Sequence, residues 1–308
     1  MNKIIVTGGY GFIASRLVIH FSKLGFEVLI IEHPDSIVPN HLKDYEVIKH
    51  DITSGKIIDD IRMNSCDVLL HLAAQSSGPR SFSIPGDDIK INVLGTLNII
   101  DNMLKYKIPR IIFASSFVIY GDKEGREVIS EEDECLPKSI YAGSKLAAEH
   151  LLQNYAQPNG IKWNALRMFN VYGPGQDITK KDQGLVGIFM NMLLESNEVE
   201  VKGRLDRFRD LVYIDDVIRG WEACLNKGID NKAYNLGSGK KIEFVELIKN
   251  IAKVLGKFDT LKITELPGSP GDMLGCIANI DSLKQDTLYN PETEILEGIE
   301  KMYQSIIK

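Results

Sequence analysis

A tyrosine and a lysine four residues apart are the residues best suited to chemistry in this sequence. Tyr141 and Lys145 stand at the two ends of the stretch YAGSK, and on a helix this spacing brings the phenol and the ammonium to one face. A phenol, with a pKa of about 10, is a poor base at neutral pH. A neighbouring ammonium stabilises the phenolate, so the pair predicts a base that removes the proton of a hydroxyl group.

The spacing alone is a weak signal, because 11 tyrosines in a lysine-rich chain produce about one such pair by chance. Tyr45 and Lys49 have the same spacing but lie on a predicted strand, where the two positions are about 13 Å apart. Tyr141 and Lys145 instead lie on the helix after the fifth predicted strand, residues 110–114, which is followed directly by Ser115 and Ser116. Ser116 can donate a hydrogen bond to a substrate oxygen, or it can simply cap the turn.

The turn after the first predicted strand is rich in glycine. Its sequence, TGGYGFIA, contains Gly9-x-Gly11-x-x-Ala14, a form of the dinucleotide-binding fingerprint that ends in alanine. Glycine lets the backbone approach a pyrophosphate, and the following helix offers unpaired N–H groups to that anion. An ordinary turn is the alternative, but a strand before and a helix after are the context that the fingerprint needs. The residues expected to contact the cofactor here are Gly8, Gly9, Gly11, Phe12 and Ile13.

An acidic residue at the end of the second predicted strand indicates which dinucleotide binds. Glu32 lies 21 residues after Gly11, where a carboxylate binds the hydroxyls of the adenosine ribose. Its charge would repel a 2′-phosphate, so NAD is favoured over NADP. Asp51 and Ile52 follow the third strand and could face the adenine; a solvated loop is the alternative for Asp51.

Apolar strands alternate with amphipathic helices in the first half of the chain, which predicts βαβ units and a parallel sheet covered on both faces. We therefore expect an α/β fold, a Rossmann-type doubly wound parallel sheet; a smaller C-terminal substrate-binding lobe is implied by the resemblance described below. Residues 1–172 would form the NAD-binding domain, with later segments near 211–239 returning to it, and residues 173–308 would form mainly the lobe. The predicted strands are 4–6, 27–31, 47–48, 67–72, 110–114, 163–167 and 234–236, and the predicted helices are 12–24, 88–106, 139–157, 184–196, 214–227, 243–256 and 292–307.

The composition excludes several classes of protein. The 308 residues are 44% hydrophobic and 25% charged, the balance of a soluble globular protein with one large or two smaller domains. A net charge of −6 does not favour nucleic acid or a membrane surface as a partner, and no apolar run approaches the roughly 20 residues of a membrane span. The 4 cysteines are far apart, and the first residues resemble a strand rather than a signal peptide. These features predict reduced thiols, no metal site and a cytoplasmic location.

Taken together, the motifs resemble the extended short-chain dehydrogenase/reductase family, in particular its nucleotide-sugar epimerases and dehydratases of the UDP-galactose 4-epimerase type. The resemblance covers nearly the whole chain and rests on TGGYGFIAS, HLAAQSS, NVLGT, SSFVIYG, YAGSK, RMFNVYGPGQ, RDLVYIDDV and NLGSG. It implies a seven-stranded NAD-binding domain and a C-terminal lobe that binds a nucleoside-diphosphate sugar. It also implies homodimers joined through the helices near residues 90–106 and 139–157.

The resemblance also assigns residues outside the first motifs. Asn170 and Arg209 would contact the substrate diphosphate, and a salt bridge of Arg209 with Asp206 or Asp210 is the alternative. The residues that would border the cofactor are Leu72, Ala73, Ala74 and Gln75, with Asn92 supporting the adjacent helix.

The chain departs from the family pattern at three places, and the first of them narrows the expected reaction. The 4,6-dehydratases of the family carry an acidic pair after the serine, where this chain has Phe117 and Val118, so a 4,6-dehydratase is not expected. Ser269 stands where the family usually has an arginine that clamps the diphosphate, and Arg204 or Arg207 could take its place. Gly187 stands where many members have proline.

The function expected from these residues is oxidation and reduction at C4 of a nucleoside-diphosphate sugar. NAD would lie on the turn at Gly9 and Gly11, with its ribose held by Glu32 and Lys145. Tyr141, which would also contact the cofactor, would take the proton of the C4 hydroxyl, Ser116 would stabilise the carbonyl, and NAD would accept the hydride. A 4-epimerase working through a transient 4-keto sugar is favoured. A net 4-dehydrogenase or 4-keto reductase with the same site is the alternative, followed by a non-catalytic NAD-binding module.

Overall fold

Strands and helices are described here for residues 3–64, 66–123, 125–180, 183–268 and 273–307 of a computed structural model. The strands are β1 (Lys3–Thr7), β2 (Glu27–Glu32), β3 (Glu46–Lys49), β4 (Val68–His71), β5 (Arg110–Ser116), β6 (Val128–Ile129), β7 (Lys162–Met168), β8 (Asn170–Tyr172), β9 (Glu198–Lys202), β10 (Phe208–Arg209), β11 (Leu211–Tyr213), β12 (Lys232–Leu236), β13 (Ile242–Glu243), β14 (Lys262–Leu266) and β15 (Ile277–Ala278). The α-helices are α1 (Phe12–Lys23), α2 (Gly78–Ser83), α3 (Pro85–Asp87), α4 (Gly95–Tyr106), α5 (Ile140–Leu151), α6 (Leu185–Glu195), α7 (Ile214–Lys227), α8 (Phe244–Val254), α9 (Asp281–Thr287) and α10 (Ile295–Ile306).

Seven of the strands form one sheet in the order β12-β7-β5-β4-β1-β2-β3. The pairs β1–β2, β1–β4, β2–β3 and β4–β5 are parallel. Ile4, Ile5 and Val6 in β1 have no exposed surface, as expected for a strand with helices on both faces. The strand order reverses between β1 and β4, and in such sheets the reversal is where dinucleotides bind. The predicted Rossmann-type α/β fold is confirmed.

The helix expected over residues 88–106 is not regular. A π-helical segment, Asp88–Leu94, lies between α3 and α4, and Gly95, the first residue of α4, packs against Ile52. A Cβ at Gly95 would lie 2.8 Å from Cδ1 of Ile52. Hydrophobic spacing does not signal such a segment, although π-helical turns are frequent at functional sites.

The chain divides into two compact units that alternate along the sequence. Unit 1 comprises residues 1–119, 139–167 and 224–234, and unit 2 comprises residues 120–138, 168–223 and 235–308. Unit 2 contains small two-stranded sheets, which pair β8 with β11, β9 with β14, β6 with β15 and β10 with β13. Among the described residues, no helix combines the length and the apolar character needed to cross a membrane.

Candidate active site and cofactor site

The turn between β1 and α1 requires glycine at two positions. Gly8 has a φ of +66°, and a Cβ there would lie 2.7 Å from the Cα of Ala73. A Cβ at Gly9 would lie 2.6 Å from Cγ2 of Ile30. The turn therefore packs directly against β2 and the end of β4. Helix α1 begins after Gly11, which has no side chain to cap it, so its first turn offers N–H groups to an anion such as a pyrophosphate.

Glu32 holds a carboxylate beside this turn. Its Oε2 accepts a hydrogen bond from the N–H of Tyr10 at 3.0 Å, and Oε1 accepts from the N–H of His33 at 3.0 Å and the hydroxyl of Ser36 at 3.1 Å. Lys49 steadies the same loop by donating to the carbonyl of Ser36 at 2.6 Å. A carboxylate can accept about four hydrogen bonds, so capacity remains for a ribose hydroxyl. The glycine turn and Glu32 therefore fit NAD.

The two residues after β3 are engaged locally. Oδ1 of Asp51 accepts from the N–H and from the hydroxyl of Thr53, both at 2.8 Å. Ile52 is buried in the hydrophobic core of the sheet. The predicted contact of these residues with adenine stays a prediction.

The side chains of Ser116, Tyr141 and Lys145 come together at the end of β5. Ser116 ends that strand, and its hydroxyl lies close enough to Tyr141, in the first turn of α5, to lower the pKa of the phenol. Lys145 lies one turn later, is only 3% exposed, and donates to the carbonyl of Ala114 at 2.9 Å. Its ammonium lies 4.8 Å from the centre of the Phe113 ring. The structure thus brings together the three groups that the sequence predicts for proton transfer.

The protein environment shifts the pKa values of Tyr141 and Lys145 in opposite directions. Burial raises the pKa of Tyr141 to about 12. The neighbouring hydroxyl of Ser116 offsets part of this rise, and the negative charge of Asp88 adds to it. Burial lowers the pKa of Lys145 to about 8, against the charges of Glu149 and Asp88. A phenol with such a pKa is protonated at neutral pH. Tyr141 therefore needs further positive charge nearby before it can act as a base.

Asn92 connects the loop after β4 to the helix that carries Tyr141. Its side-chain amide accepts from the N–H of Gln75 at 2.9 Å and donates to the carbonyl of Gln75 at 3.0 Å. It also donates to the hydroxyl of Ser144 at 2.9 Å. Asn92 thus supports both the loop that is predicted to border the cofactor and α5.

A chain of hydrogen bonds through His71 joins β1, β4 and α4, and sequence reasoning missed it. Oγ1 of Thr7 accepts from the N–H groups of Leu72 and Ala73, both at 3.1 Å, and lies 2.7 Å from Nδ1 of His71. Nε2 of His71 lies 3.0 Å from Thr96, whose hydroxyl donates to a main-chain carbonyl at 2.6 Å. The proton is therefore on Nε2. Burial lowers the pKa of His71 to about 3, which keeps the ring neutral.

Glu149 is a second group that sequence reasoning missed. It lies on α5 one turn after Lys145, forms a buried ion pair with Arg167 of β7 at 2.8 Å, and accepts a hydrogen bond from Ser115. Its charge helps to keep Lys145 protonated. The i, i+4 spacing of Lys145 and Glu149 is the one signal in the sequence that could have found it.

In unit 2, Asn170 is held by Asp210. The N–H of Asn170 donates to the carbonyl of Asp210 at 3.2 Å, and its side-chain amide donates to the same carbonyl at 3.1 Å. The buried carboxylate of Asp210 accepts from the N–H and hydroxyl of Ser238, both at 2.7 Å, and from the N–H groups of Gly239 at 2.9 Å and Ala278 at 3.0 Å. With four donors around it, Asp210 orders the loops next to Asn170.

The three arginines of the stretch GRLDRFR are held in different ways. Arg204 forms an ion pair with Asp206 at the surface. Arg207 is buried and donates to two main-chain carbonyls. Arg209 donates to the carbonyls of residues 273 and 274, both at 3.3 Å. The guanidinium carbons of Arg207 and Arg209 lie 4.7 and 5.1 Å from the centre of the Phe244 ring, within the range of cation–π attraction.

A cavity of about 630 Å³ in unit 2 has charges of both signs in its wall. Arg204 and Arg207 line it, as do Asp122 and Glu265. Ser269, where the family has arginine, lies outside the described residues.

A glycine turn at the reversal of the strand order, with a tyrosine and a lysine beside the end of β5, is the arrangement of a dinucleotide-dependent short-chain dehydrogenase/reductase. Comparison of sequences narrows this class. The profile of the NAD-dependent epimerase/dehydratase family matches residues 4–237, and the chain belongs to that family. Membership in it confirms the predicted cofactor, NAD, and the resemblance to the extended short-chain dehydrogenases/reductases.

Three relatives illustrate the similarity. The chain superposes on the UDP-glucose 4-epimerase of Thermotoga maritima, solved with UDP-glucose, with a TM-score of 0.90, 28% identity, and coverage of 99% of this chain and 98% of the other. It superposes on the UDP-glucose 4-epimerase of Thermus thermophilus, solved with NAD, with a TM-score of 0.90, 30% identity, and coverage of 99% of each chain. It is 29% identical over 316 residues to a UDP-glucuronate 4-epimerase of Thermodesulfobacterium geofontis, covering 98% of this chain and 95% of the relative.

Proposed function

We propose that the protein is a nucleoside-diphosphate-sugar 4-epimerase that works through a transient 4-keto sugar. The observation that carries the proposal is the placement of Tyr141 next to Ser116, with Lys145 buried one helical turn away. A base, a donor to a carbonyl oxygen and a cation are thereby assembled at one strand end. The relatives named above act at C4 of UDP-sugars, which supports C4 as the reacting position and a UDP-sugar as the substrate.

Each residue of the cluster has a separate task in this reaction. Tyr141 takes the proton of the C4 hydroxyl and later returns it, and Ser116 donates a hydrogen bond to the oxygen as it becomes a carbonyl. Lys145 supplies positive charge that stabilises the phenolate of Tyr141. NAD, when bound, supplies the acceptor for the hydrogen at C4.

The binding residues follow from the same proposal. The turn at Gly8, Gly9 and Gly11 holds the pyrophosphate of NAD, and Glu32 holds its adenosine ribose. Arg209 and Asn170 bind the diphosphate of the substrate, with Arg204 and Arg207 as further contacts. Planar guanidinium groups suit this task because they can bind phosphate oxygens in pairs.

A net dehydrogenase or keto reductase is the second candidate, and Phe117 is the residue that favours it. This ring begins the 3-10 turn after β5, directly after Ser116, and is only 9% exposed. A bulky group there could restrict the turning of a keto sugar, and the sugar would then leave before it is reduced. A non-catalytic module is disfavoured because Tyr141 and Lys145 are both retained.

We do not expect water elimination from C5 and C6. That reaction needs an acid and a base next to the keto sugar, and the two positions after Ser116 hold Phe117 and Val118. The family includes dehydratases as well as epimerases, so the absence of a 4,6-dehydratase product is itself part of the test.

We further propose that the enzyme is cytoplasmic and forms homodimers through the helices near residues 90–106 and 139–157. Two apolar side chains in these regions support the assembly, since Leu94 is 47% exposed and Ile140 is 45% exposed. Light scattering on the purified protein measures the assembly, and a monomer at micromolar concentration would contradict it.

Products from a panel of nucleotide sugars test the proposed reaction. The purified protein is first checked for bound NAD or NADH, and is then incubated with UDP-, GDP-, dTDP- and CDP-sugars in D₂O. We expect a C4 epimer that carries no deuterium at C4. A keto sugar formed with an equal amount of NADH would indicate a dehydrogenase. Retained NAD without any product would indicate a binding module.

A further inference from the structure

Asp88 is a buried carboxylate that none of the roles above uses. It begins the π-helical segment and has no exposed surface. Its Oδ1 accepts from the side-chain amides of Gln75 at 3.0 Å and Asn92 at 3.3 Å, and the hydroxyl of Ser81 lies close enough to lower the pKa of the carboxyl group. Burial raises the pKa of Asp88, and the hydroxyl of Ser81 and the amide of Gln75 offset part of this rise. Amide N–H groups can only donate, so Gln75 and Asn92 stabilise the anionic form.

Two of these donors also hold the main chain of Tyr141. Oγ of Ser81 accepts from the N–H of Tyr141 at 2.7 Å, and this N–H in the first turn of α5 has no partner within the helix. Asn92 donates to Ser144 at 2.9 Å, and the hydroxyl of Ser144 donates to the carbonyl of Tyr141 at 2.8 Å. The N–H of Tyr141 is therefore connected to Asp88 through Ser81. Its carbonyl is connected to Asp88 through Ser144 and Asn92.

The charge of Asp88 also acts on the catalytic pair. After the larger effect of burial, it raises the pKa of Tyr141 and, together with Glu149, that of Lys145. Removing the charge would therefore lower both pKa values. The other charged or titratable groups around this cluster are Asp87 beside Asp88, His71 at the end of β4, Glu149 on α5 and Arg167 on β7.

We propose that Asp88 is a positioning residue for proton transfer, which places Tyr141 through Ser81 and Asn92 and whose negative charge sets the pH at which Tyr141 ionises. The inference rests on the proposed role of Tyr141 as the base. Its first test needs neither the substrate nor turnover, so the role of Asp88 and the proposed function can fail separately.

Ionisation of Tyr141 can be measured directly in the NAD-loaded protein. Tyrosine labelled with ¹³C at Cζ reports each phenol by NMR, and the Tyr141 resonance is the one that is lost in Tyr141→Phe. In Asp88→Asn we expect Tyr141 to ionise about one pH unit lower than in the wild type, because a charge that opposes the phenolate is gone. The matched control is Asp87→Asn, which removes the same charge one residue away, where Asp87 pairs with Arg80 at 2.6 Å. We expect a shift of less than about 0.3 units there, since charges near the surface are well screened.

The rate profile provides the second readout. In Asp88→Asn we expect kcat to fall about tenfold, with little change in KM, and both limbs of its pH profile to move to lower pH. An unshifted Tyr141 resonance in this variant would overturn the role of the charge, whatever happened to kcat. If no nucleotide sugar is turned over by the wild type, the proposed function fails, while the titration still decides the role of Asp88.

Ser81→Ala keeps the proposal testable if Asp88→Asn does not fold. It retains the buried charge but removes the link to the N–H of Tyr141. We expect kcat to fall about tenfold with KM and the ionisation of Tyr141 unchanged. An unaltered kcat would overturn the positioning role.

Discussion

The two units of the chain differ in how they hold their cationic side chains. In unit 1, Lys145 is buried beside Tyr141, with Glu149 one helical turn away to balance its charge. In unit 2, Arg204 pairs with a neighbour at the surface, and Arg209 donates to main-chain carbonyls. The first arrangement tunes proton affinity, and the second holds side chains that can bind an anion.

The difference follows from the local architecture. Parallel strands end at one edge of the sheet, so Ser116 on β5 and the first turn of α5 meet in a regular way. The arginines of unit 2 lie on and beside a two-residue strand, β10, where main-chain carbonyls accept the N–H groups of Arg207 and Arg209. Unit 1 is therefore expected to govern kcat, and unit 2 to govern KM.

The largest expected effect separates the chemistry of unit 1 from its binding. Tyr141→Phe removes the base and leaves the glycine turn and Glu32 intact. We expect kcat to fall about 10²- to 10⁴-fold, with the amount of bound NAD unchanged. Steady-state rates and the cofactor content of the purified variant measure the two quantities. A near-normal kcat would remove Tyr141 from the role of base.

Arg209→Ala should affect binding instead. Loss of a charged donor to the diphosphate costs about 1.5–3 kcal/mol, which corresponds to a rise in KM of about 10- to 100-fold with kcat largely retained. Lys240→Ala is the matched control, because the side chain of Lys240 forms an exposed ion pair with Glu294 in the same unit. A loss in kcat at unchanged KM would contradict the expectation that unit 2 governs KM and unit 1 governs kcat.

Low pH should destabilise unit 1 because the buried His71 must be protonated. Its pKa is about 3 in the folded protein and about 6.5 in an unfolded chain, so the unfolded state binds the proton first. The free energy of unfolding should therefore fall as the pH drops below about 6.5, by up to about 1.4 kcal/mol per unit until the pH nears 3. Urea denaturation at pH 7, 6 and 5 measures this slope. It should be shallower in His71→Gln, and identical slopes would rule out His71 as the source.

The smallest expected effect concerns the fate of the keto sugar. Phe117→Ala should raise the ratio of epimer to released keto sugar about two- to fivefold, a change of less than about 1 kcal/mol. The ratio is read from NMR spectra of the product mixture, with Val118→Ala as a neighbouring control. Unchanged products in both variants would mean that the ring does not limit the turning of the sugar.

Features that depend on local pattern could be predicted from the sequence. The run Ile4-Ile5-Val6 predicts a buried strand, and the glycines after it predict the turn that packs against Ala73. Tyr141 and Lys145 could be paired because one helix holds both. Ser116 could be placed near them because it closely follows the predicted strand 110–114.

Features that depend on contacts between distant segments could not be predicted. Asp88 looks like one of many acidic residues, and only the fold shows that Gln75, Ser81 and Asn92 converge on it. His71 lies on an apolar strand, and its partners are 64 and 25 positions away in the chain. The stacking of Arg207 on Phe244 has the same origin.

The fate of the hydrogen at C4 tests the central claim most directly. The nucleotide sugar that the panel identifies is prepared with deuterium at C4 and incubated with the protein in ordinary water. The account predicts an epimer that retains the deuterium at C4, because the hydrogen is removed and returned within one site. Loss of the deuterium to water, or a keto sugar released with an equal amount of reduced cofactor, would contradict it.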